Sequence, residues 1–317
     1  APSRAERAAG CRRARYWGAM AYRDDPRMGP ALGAAERFLH SSARLLERHR
    51  FAHLFGAGGA EPVLTALRAY RNPDGGFGHA LEPDLRAPSS QPVGVQTAME
   101  TLHEAGARDD PMIGPACDFL AGIALPDGGI PFALDSAAGY PKGPWWEPAD
   151  VSSLTQTAAN AAALLTLGVS HPWLDGATAF CWRRIADLDF SNPHPGLGYD
   201  LLFAVRFLDA VPDEARAIAA LDALRDPVGT SGLVALEPRT PGDLQSPLGL
   251  SPLPASRSRR LFDGATIASH LDGLATGQQG DGGWTFPWPE WNPAATLEWR
   301  GVVTVEALKV LRANGRL

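Results

Sequence analysis

Apolar residues recur at three- and four-residue spacing over ten stretches: 33–50, 61–71, 91–106, 112–124, 152–168, 173–188, 197–210, 213–226, 262–277 and 300–313. That is the period of a helix with one buried face. No stretch alternates apolar and polar residues at the period of two that a half-buried strand shows. The pattern predicts an all-α protein. Its helices are of two kinds. Segments 61–71, 112–124 and 262–277 mix polar and apolar positions and end at a glycine turn. The segments after them are rich in small residues: QTAMETLHEAG from Gln96, SSLTQTAANAAALLTLG from Ser152 and VVTVEALKVLRANG from Val302. Small side chains suit a tightly packed inner helix, and mixed ones suit an outer helix.

The glycine turns repeat. NPDGGF begins at Asn72, LPDGGI at Leu125 and GDGGW at Gly280. Each sets an acidic residue and two glycines before a large apolar side chain. Glycine supplies the positive φ of a tight reversal at a helix end, and the apolar residue packs back on its neighbour. Recurrence at long intervals marks a repeat architecture. Outer and inner helices in alternation close into an α/α toroid of five to six helical hairpins, expected to span 28–317. Residues 1–27 are basic at first and without apolar periodicity, and they lack the apolar core of a secretory signal. They are read as a flexible N-terminal arm.

In a toroid, the connections from outer to inner helices emerge at one end. Here these are the long ones, 77–91, 126–151, 227–261 and 284–299. Long loops on a rigid scaffold are where function sits. Inner helices also point their positive N-terminal ends there, which favours an anionic ligand group. The first loop carries His79, Glu82, Asp84 and Arg86. The second carries Lys142, Trp145, Trp146, Glu147 and Asp150, and the last Trp284, Trp288, Trp291, Glu298, Trp299 and Arg300. Six of the nine tryptophans lie in two of these loops. Aromatic faces beside carboxylates stabilise a carbocation, or stack on sugar rings. A carboxyl walled by tryptophan has a raised pKa and serves as a general acid near neutral pH.

The turns and the "TA…AL" inner helices resemble the repeats of squalene–hopene cyclases and protein prenyltransferase β subunits. The terminal QQGDGGW, Gln278 to Trp284, is similar to the Gln…Trp motif of the cyclases. The resemblance covers about residues 30–315. It implies a terpenoid cyclase-like enzyme, an isomerase or lyase, acting by acid-initiated cyclisation or rearrangement of a hydrophobic isoprenoid. The family's motifs are not matched. Class II cyclases carry Asp-x-Asp-Asp before Thr-Ala on an inner helix. Here Ser153, Thr155 and Gln156 precede Thr157-Ala158, and Val93, Val95 and Gln96 precede Thr97-Ala98. Class I DDxxD and the prenyltransferase zinc ligands have no counterpart. Glu82, Asp84 and Asp150 are thus the candidate catalytic carboxylates. His79, Arg86, Gln96, Gln156, Trp145, Trp146, Glu147, Trp288, Trp291 and Trp299 are candidates for substrate contact.

Several of these residues have a second reading. Trp284 packs its own turn. Trp145-Trp146 wall a ligand or pack a proline-rich loop, and Glu82 and Asp84 donate protons or cap a turn around Pro83. Gln96 and Gln156 line the cavity or bond between helices. A carbohydrate-active lyase or hydrolase on the same scaffold is an alternative, and a non-catalytic peptide- or ligand-binding toroid is another.

Composition narrows the partners. Net charge is −6 and the sequence pI about 5.8, with no basic stripe, which argues against nucleic acid. No apolar run approaches the roughly 20 residues of a membrane span. Cys11, Cys117 and Cys181 are scattered and fit neither a disulfide framework nor zinc spacing, which fits a reducing cytoplasm. No cofactor or metal is expected. The substrate is expected to be small and hydrophobic, and any diphosphate it carried would meet Arg86, Lys142 and Arg300.

Overall fold

The computed structural model describes residues 30–191, 194–229, 231–235 and 244–317. The 1–27 arm lies outside them. The described chain is all-α apart from two short antiparallel pairs, Ile130–Pro131 (β1) with Ser152–Ser153 (β2), and Val234–Ala235 (β3) with Leu244–Gln245 (β4). Its helices are α1 (Pro30–Ser42), α2 (Leu45–Phe55), α3 (Ala60–Arg68), α4 (Pro92–Glu104), α5 (Ile113–Gly122), α6 (Leu154–Leu167), α7 (Pro172–Ala186), α8 (Leu197–Ala210), α9 (Glu214–Ala223), α10 (Arg225–Val228), α11 (Pro247–Leu250), α12 (Gly264–Thr276) and α13 (Pro293–Ala313).

Local sequence sets the boundaries. Proline occupies the first turn of α4, α7 and α13, where its missing N–H costs nothing. Ser153, Asp213, Asp263 and Asn292 cap α6, α9, α12 and α13 through side-chain oxygens. Gly168 ends α6 in the left-handed conformation, φ 78°. Two boundaries differ from the periodicity. The run 33–50 is two helices, because Arg44 is extended between them at φ −63°, ψ 160°. The last helix starts at Pro293, seven residues before the expected 300. Its first turns carry exposed Ala294 and Leu297, so no periodic stripe announces them.

The three Gly-Gly turns share one set of contacts. The aspartate carboxylate accepts from the N–H of the second glycine in each: Asp74 from Gly76, Asp127 from Gly129, Asp281 from Gly283, at 3.0–3.1 Å. The first glycine has φ +90°, +91° and +96°, a region other residues rarely adopt. A Cβ on Gly75, Gly128 or Gly282 would lie 2.3, 2.6 or 2.1 Å from the carbonyl oxygen of Pro115, Gly176 or Ala34. Those residues belong to α5, α7 and α1. Four residues further along each helix, Phe119, Phe180 and Phe38 fill the space beside the second glycine. Each turn therefore seats on the next outer helix, and the last seats on the first. α13 packs against both α1 and α2, so the order of packing returns to its start.

A second layer contains α2, α4, α6, α8 and α13. Thr155, in the first turn of α6, donates through N and Oγ1 to Asp200 in the first turn of α8, at 2.9 and 2.7 Å. Asn160 Nδ2 of α6 donates to the Pro92 carbonyl that opens α4 (3.2 Å). Between the layers lie Leu67, Phe77, Met99, Leu102, Ile130, Phe180 and Phe207, all fully buried. Each such side chain stabilises the fold by about 1.5–3 kcal/mol through burial.

Two expectations are corrected. Ser90 and Ser152 bond Asp74 and Asp127 in the same way, at 2.7 and 2.6 Å. In that register Thr157, whose Oγ1 accepts from Ile130 N, matches Val95 and not Thr97, and Thr304 accepts likewise from Trp284 N. The two Thr-Ala pairs are thus out of step by two residues, and Gln96 and Gln156 are not equivalent. The loop 227–261, expected to stay at the loop end, reaches in part the other end of the second layer. Arg257 Nη1 donates there to the carbonyls of Leu208, Asp209 and Val211 at the C-terminus of α8 (2.8–3.1 Å). Among the described residues between α9 and α12 stand short helical turns and the β3–β4 pair.

Candidate active site at the loop end

The loop after Phe77 is wound tightly. A Cβ on Gly78 would lie 2.3 Å from the carbonyl oxygens of both Pro88 and Ser89. His79 and Ala80 come next, with φ 56° and 61°. Two successive non-glycine residues in the left-handed region cost about 1–3 kcal/mol each and need outside support. Arg44 supplies it: its Nη1 donates to the carbonyls of Ala80 (2.8 Å) and Leu81 (3.1 Å), while Glu47 holds its other nitrogens. Leu81 and Leu85 anchor the loop in the core. The residues between them are Glu82, Pro83 and Asp84.

Asp84 is 3% exposed. Its two carboxylate oxygens accept from two indoles, Oδ1 from Trp291 Nε1 (2.5 Å) and Oδ2 from Trp299 Nε1 (2.7 Å). Burial raises its pKa, opposed by the two indole N–H groups and by Arg86. Arg86 itself pairs with Glu298 through both terminal nitrogens (2.5 and 3.2 Å). Glu82 is half-buried beside Asp84, whose N–H donates to Glu82 Oε1 at 3.3 Å. Burial first, and then the charge of Asp84, push the Glu82 carboxyl up to about 8; Arg44 pulls the other way and Glu298 adds to the rise. The site thus pairs a carboxyl that burial pushes up to about 8 with one held by indole donors.

Aromatic rings continue from the Trp299 side. Trp288 meets Trp299 edge-on at 4.9 Å between centroids, and Phe286 stacks on Trp288 at 4.5 Å. The second long loop closes another side. Gly143 N–H donates to the Asp84 carbonyl (2.8 Å), and Arg86 N–H to the Pro141 carbonyl (3.0 Å). Structure therefore brings together Glu82, Asp84 and Arg86 of one long loop with Trp288 and Trp291 of the last loop and Trp299 of α13, over 200 residues away.

The other candidates lie elsewhere. Trp146 is buried in a small cluster with Leu85 and Val93 and stacks on Phe132 at 4.7 Å. Trp145 is exposed and covers Gly143. Glu147 is largely exposed and bonds Lys142 Nζ (2.9 Å); Asp150 is exposed. His79 is exposed and shares a hydrogen bond with Asn72 Oδ1. Trp284 packs in the core, with its Nε1 donating to the Leu274 carbonyl (2.8 Å). Gln96 and Gln156 are buried on α4 and α6.

Three expectations about charge meet local chemistry. Arg300 bonds both oxygens of Asp281 (2.7 and 2.8 Å) and lies over the Phe38 ring, so it belongs to the third turn. Arg86 and Lys142 each hold a carboxylate of the chain. The first turn of α6 bonds Asp200, an anion of the protein's own. Arg44 and Phe286 were not among the sequence candidates, and Glu298 was named there only as a residue of the last loop. Arg44 sits inside an apparently unbroken periodic run, where only its neighbours Ser41-Ser42 hint at a break.

Among the described residues, no group of three or more His, Cys, Asp or Glu is placed to hold a metal. No helix among them is long and apolar enough to cross a membrane.

No family model and no curated protein matches the chain. Solved structures do. A protein from Actinoplanes superposes with a TM-score of 0.57 at 17% identity, over 90% of this chain and 98% of that one. A variant of the type II terpene cyclase MstE from Scytonema, with its substrate geranylgeranyl dihydroxybenzoate bound, superposes at 0.54 and 16% identity, over 89% of this chain and 97% of that one. At such identity the likeness is one of fold: this chain has the all-α fold of a type II terpene cyclase.

Proposed function

We propose that the second helical layer encloses a central cavity, so that residues 28–317 form one α/α toroid, and that the chain is a terpenoid cyclase-like enzyme. The MstE complex, whose fold it shares, holds a geranylgeranyl substrate. The observation that carries the reading is Glu82, a carboxyl with its pKa raised to about 8 by burial and Asp84, beside an aromatic wall.

In this mechanism Glu82 gives its proton to one carbon of a terminal alkene. The π electrons form the new C–H bond, and the other carbon becomes a tertiary cation. The next alkene attacks that cation and closes a ring. Loss of a proton to Asp84 or a water, or addition of water, ends the sequence, and solvent reprotonates Glu82. A carboxyl near 8 is a weak acid for an alkene, so cation stabilisation must supply the driving force. The ring faces of Trp288 and Trp299 and the charges of Asp84 and Glu298 would provide it. The proposed substrate is uncharged, because Arg86, Lys142 and Arg300 are already matched by carboxylates.

The test is incubation in D2O with squalene, farnesol and geranylgeraniol. A cyclised product carrying one deuterium, lost in Glu82→Gln, supports the reading, and EDTA should leave the reaction intact. Unsaturated products from acidic oligosaccharides would favour the carbohydrate-active alternative.

A further inference from the structure

The helices of the second layer hold polar atoms that the loop-end site does not use. Asn160 of α6 donates to the Pro92 carbonyl of α4 (3.2 Å) and to the Gln156 carbonyl one turn back (2.9 Å). This face of α6 therefore meets α4. Gln96 lies one turn beyond Pro92 on α4, which packs against α6. Asn160, Gln156 and Gln96 are 0%, 2% and 6% exposed, and the amide oxygen of each has no donor. A buried acceptor without a donor is costly and calls for an explanation.

The seam leads to a charged pair. Gln96 Nε2 donates to Glu100 Oε1 (3.1 Å). Glu100 reaches Arg206 of α8 at 3.6 Å, a loose pair with side chains 46% and 38% exposed. Arg206 also lies over the Phe203 ring at 5.2 Å. Because α6 packs between α4 and α8, the pair spans the face of α6.

The chemistry of this seam selects its occupant. Three amide oxygens lack donors, and one guanidinium is loosely held. A hydrocarbon would leave the oxygens unmet. A phosphate or carboxylate would bring more lone pairs against them and against Glu100. A hydroxyl donates to an amide oxygen and accepts from Arg206. We propose that the α4–α6 seam, with Glu100 and Arg206, is a subsite for a hydroxyl group of the ligand. The inference rests on the central cavity proposed above and does not require acid chemistry at Glu82.

Calorimetric titration of the full chain tests it, with farnesol, farnesyl methyl ether and cellobiose as probes. Farnesol should bind at least about tenfold tighter than its ether, and the double variant Gln96→Leu/Gln156→Leu should shrink that gap below about twofold. Equal binding of alcohol and ether, a gap that survives in the variant, or no binding of either hydroxylated probe overturns the subsite. Cellobiose bound in a variant-sensitive way, with farnesol not bound, supports the subsite and removes the isoprenoid reading. A ligand-free readout is independent of all probes. Gln156→Met should keep or raise the melting temperature, because it removes an unmet acceptor. A clear fall would show that the amide is structural and would overturn the proposal.

Discussion

The turns at Gly75 and Gly282 have the same backbone, yet the chain leaves them in different ways. Both glycines have φ near +90°, both seat on the next outer helix, and both carry an aspartate bonded to the second glycine. After Gly282 the chain presents aromatic rings and enters α13. After Gly75 it winds through two left-handed non-glycine residues and delivers Glu82 and Asp84. The two continuations meet where Trp291 and Trp299 hold Asp84. The shared part is fixed by backbone atoms and repeats. The part that differs is made by side chains from a distant loop and from α13.

The largest effect should come from the shared part. Gly282→Ala puts a Cβ 2.1 Å from the Ala34 carbonyl oxygen at positive φ, so both clash and strain act. A loss of about 3 kcal/mol or more is expected in denaturant unfolding. Gly106→Ala sharpens the point: φ is +70° but nothing lies within 4 Å, so about 1 kcal/mol is expected. Similar losses at both sites would mean that the seating on α1 contributes little.

Next comes the Asp84 clamp. Asp84→Leu leaves two indole donors without their acceptor and should cost about 1–3 kcal/mol, measured by thermal unfolding. Trp299→Phe should cost less, since it removes one donor and keeps a ring against Trp288. If Asp84→Leu is neutral, the clamp is not formed in solution.

These expectations also mark what was legible in the sequence. Helices and Gly turns were, because period and φ requirements are local. The break at Arg44 was not, because a long-range bond to Ala80 and Leu81 fixes it. The Thr-Ala register misled, because the serines that bond Asp74 and Asp127 set the phase. Residue type alone placed tryptophans in the loops but could not separate Trp146, which packs on Phe132, from Trp299, which bonds Asp84. Glu82 and Asp84 were legible as carboxylates in a long loop. Their unequal surroundings were not, since the indoles come from the other end of the chain.

Stability should also track Glu82. Its folded pKa, about 8, lies above the ordinary 4.5, so the folded state binds the proton more tightly. Its contribution is fully present below pH 4.5 and is lost as pH rises through about 8. Melting temperature should fall across that window, and Glu82→Gln should flatten the fall. The smallest effect is expected at Lys142→Ala. Its partner Glu147 is 73% exposed, and such a pair contributes about 0–1 kcal/mol.

The central claim is that the loop end holds a protonated carboxyl at neutral pH. Carbon-13 NMR titration of the glutamate side chains in the full chain, with Glu82 assigned by comparison with Glu82→Gln, measures this directly. A resonance that titrates near pH 8 and vanishes in the variant is the predicted result. A Glu82 midpoint near 4.5 would contradict the account, because the site would then hold a carboxylate with no proton to give.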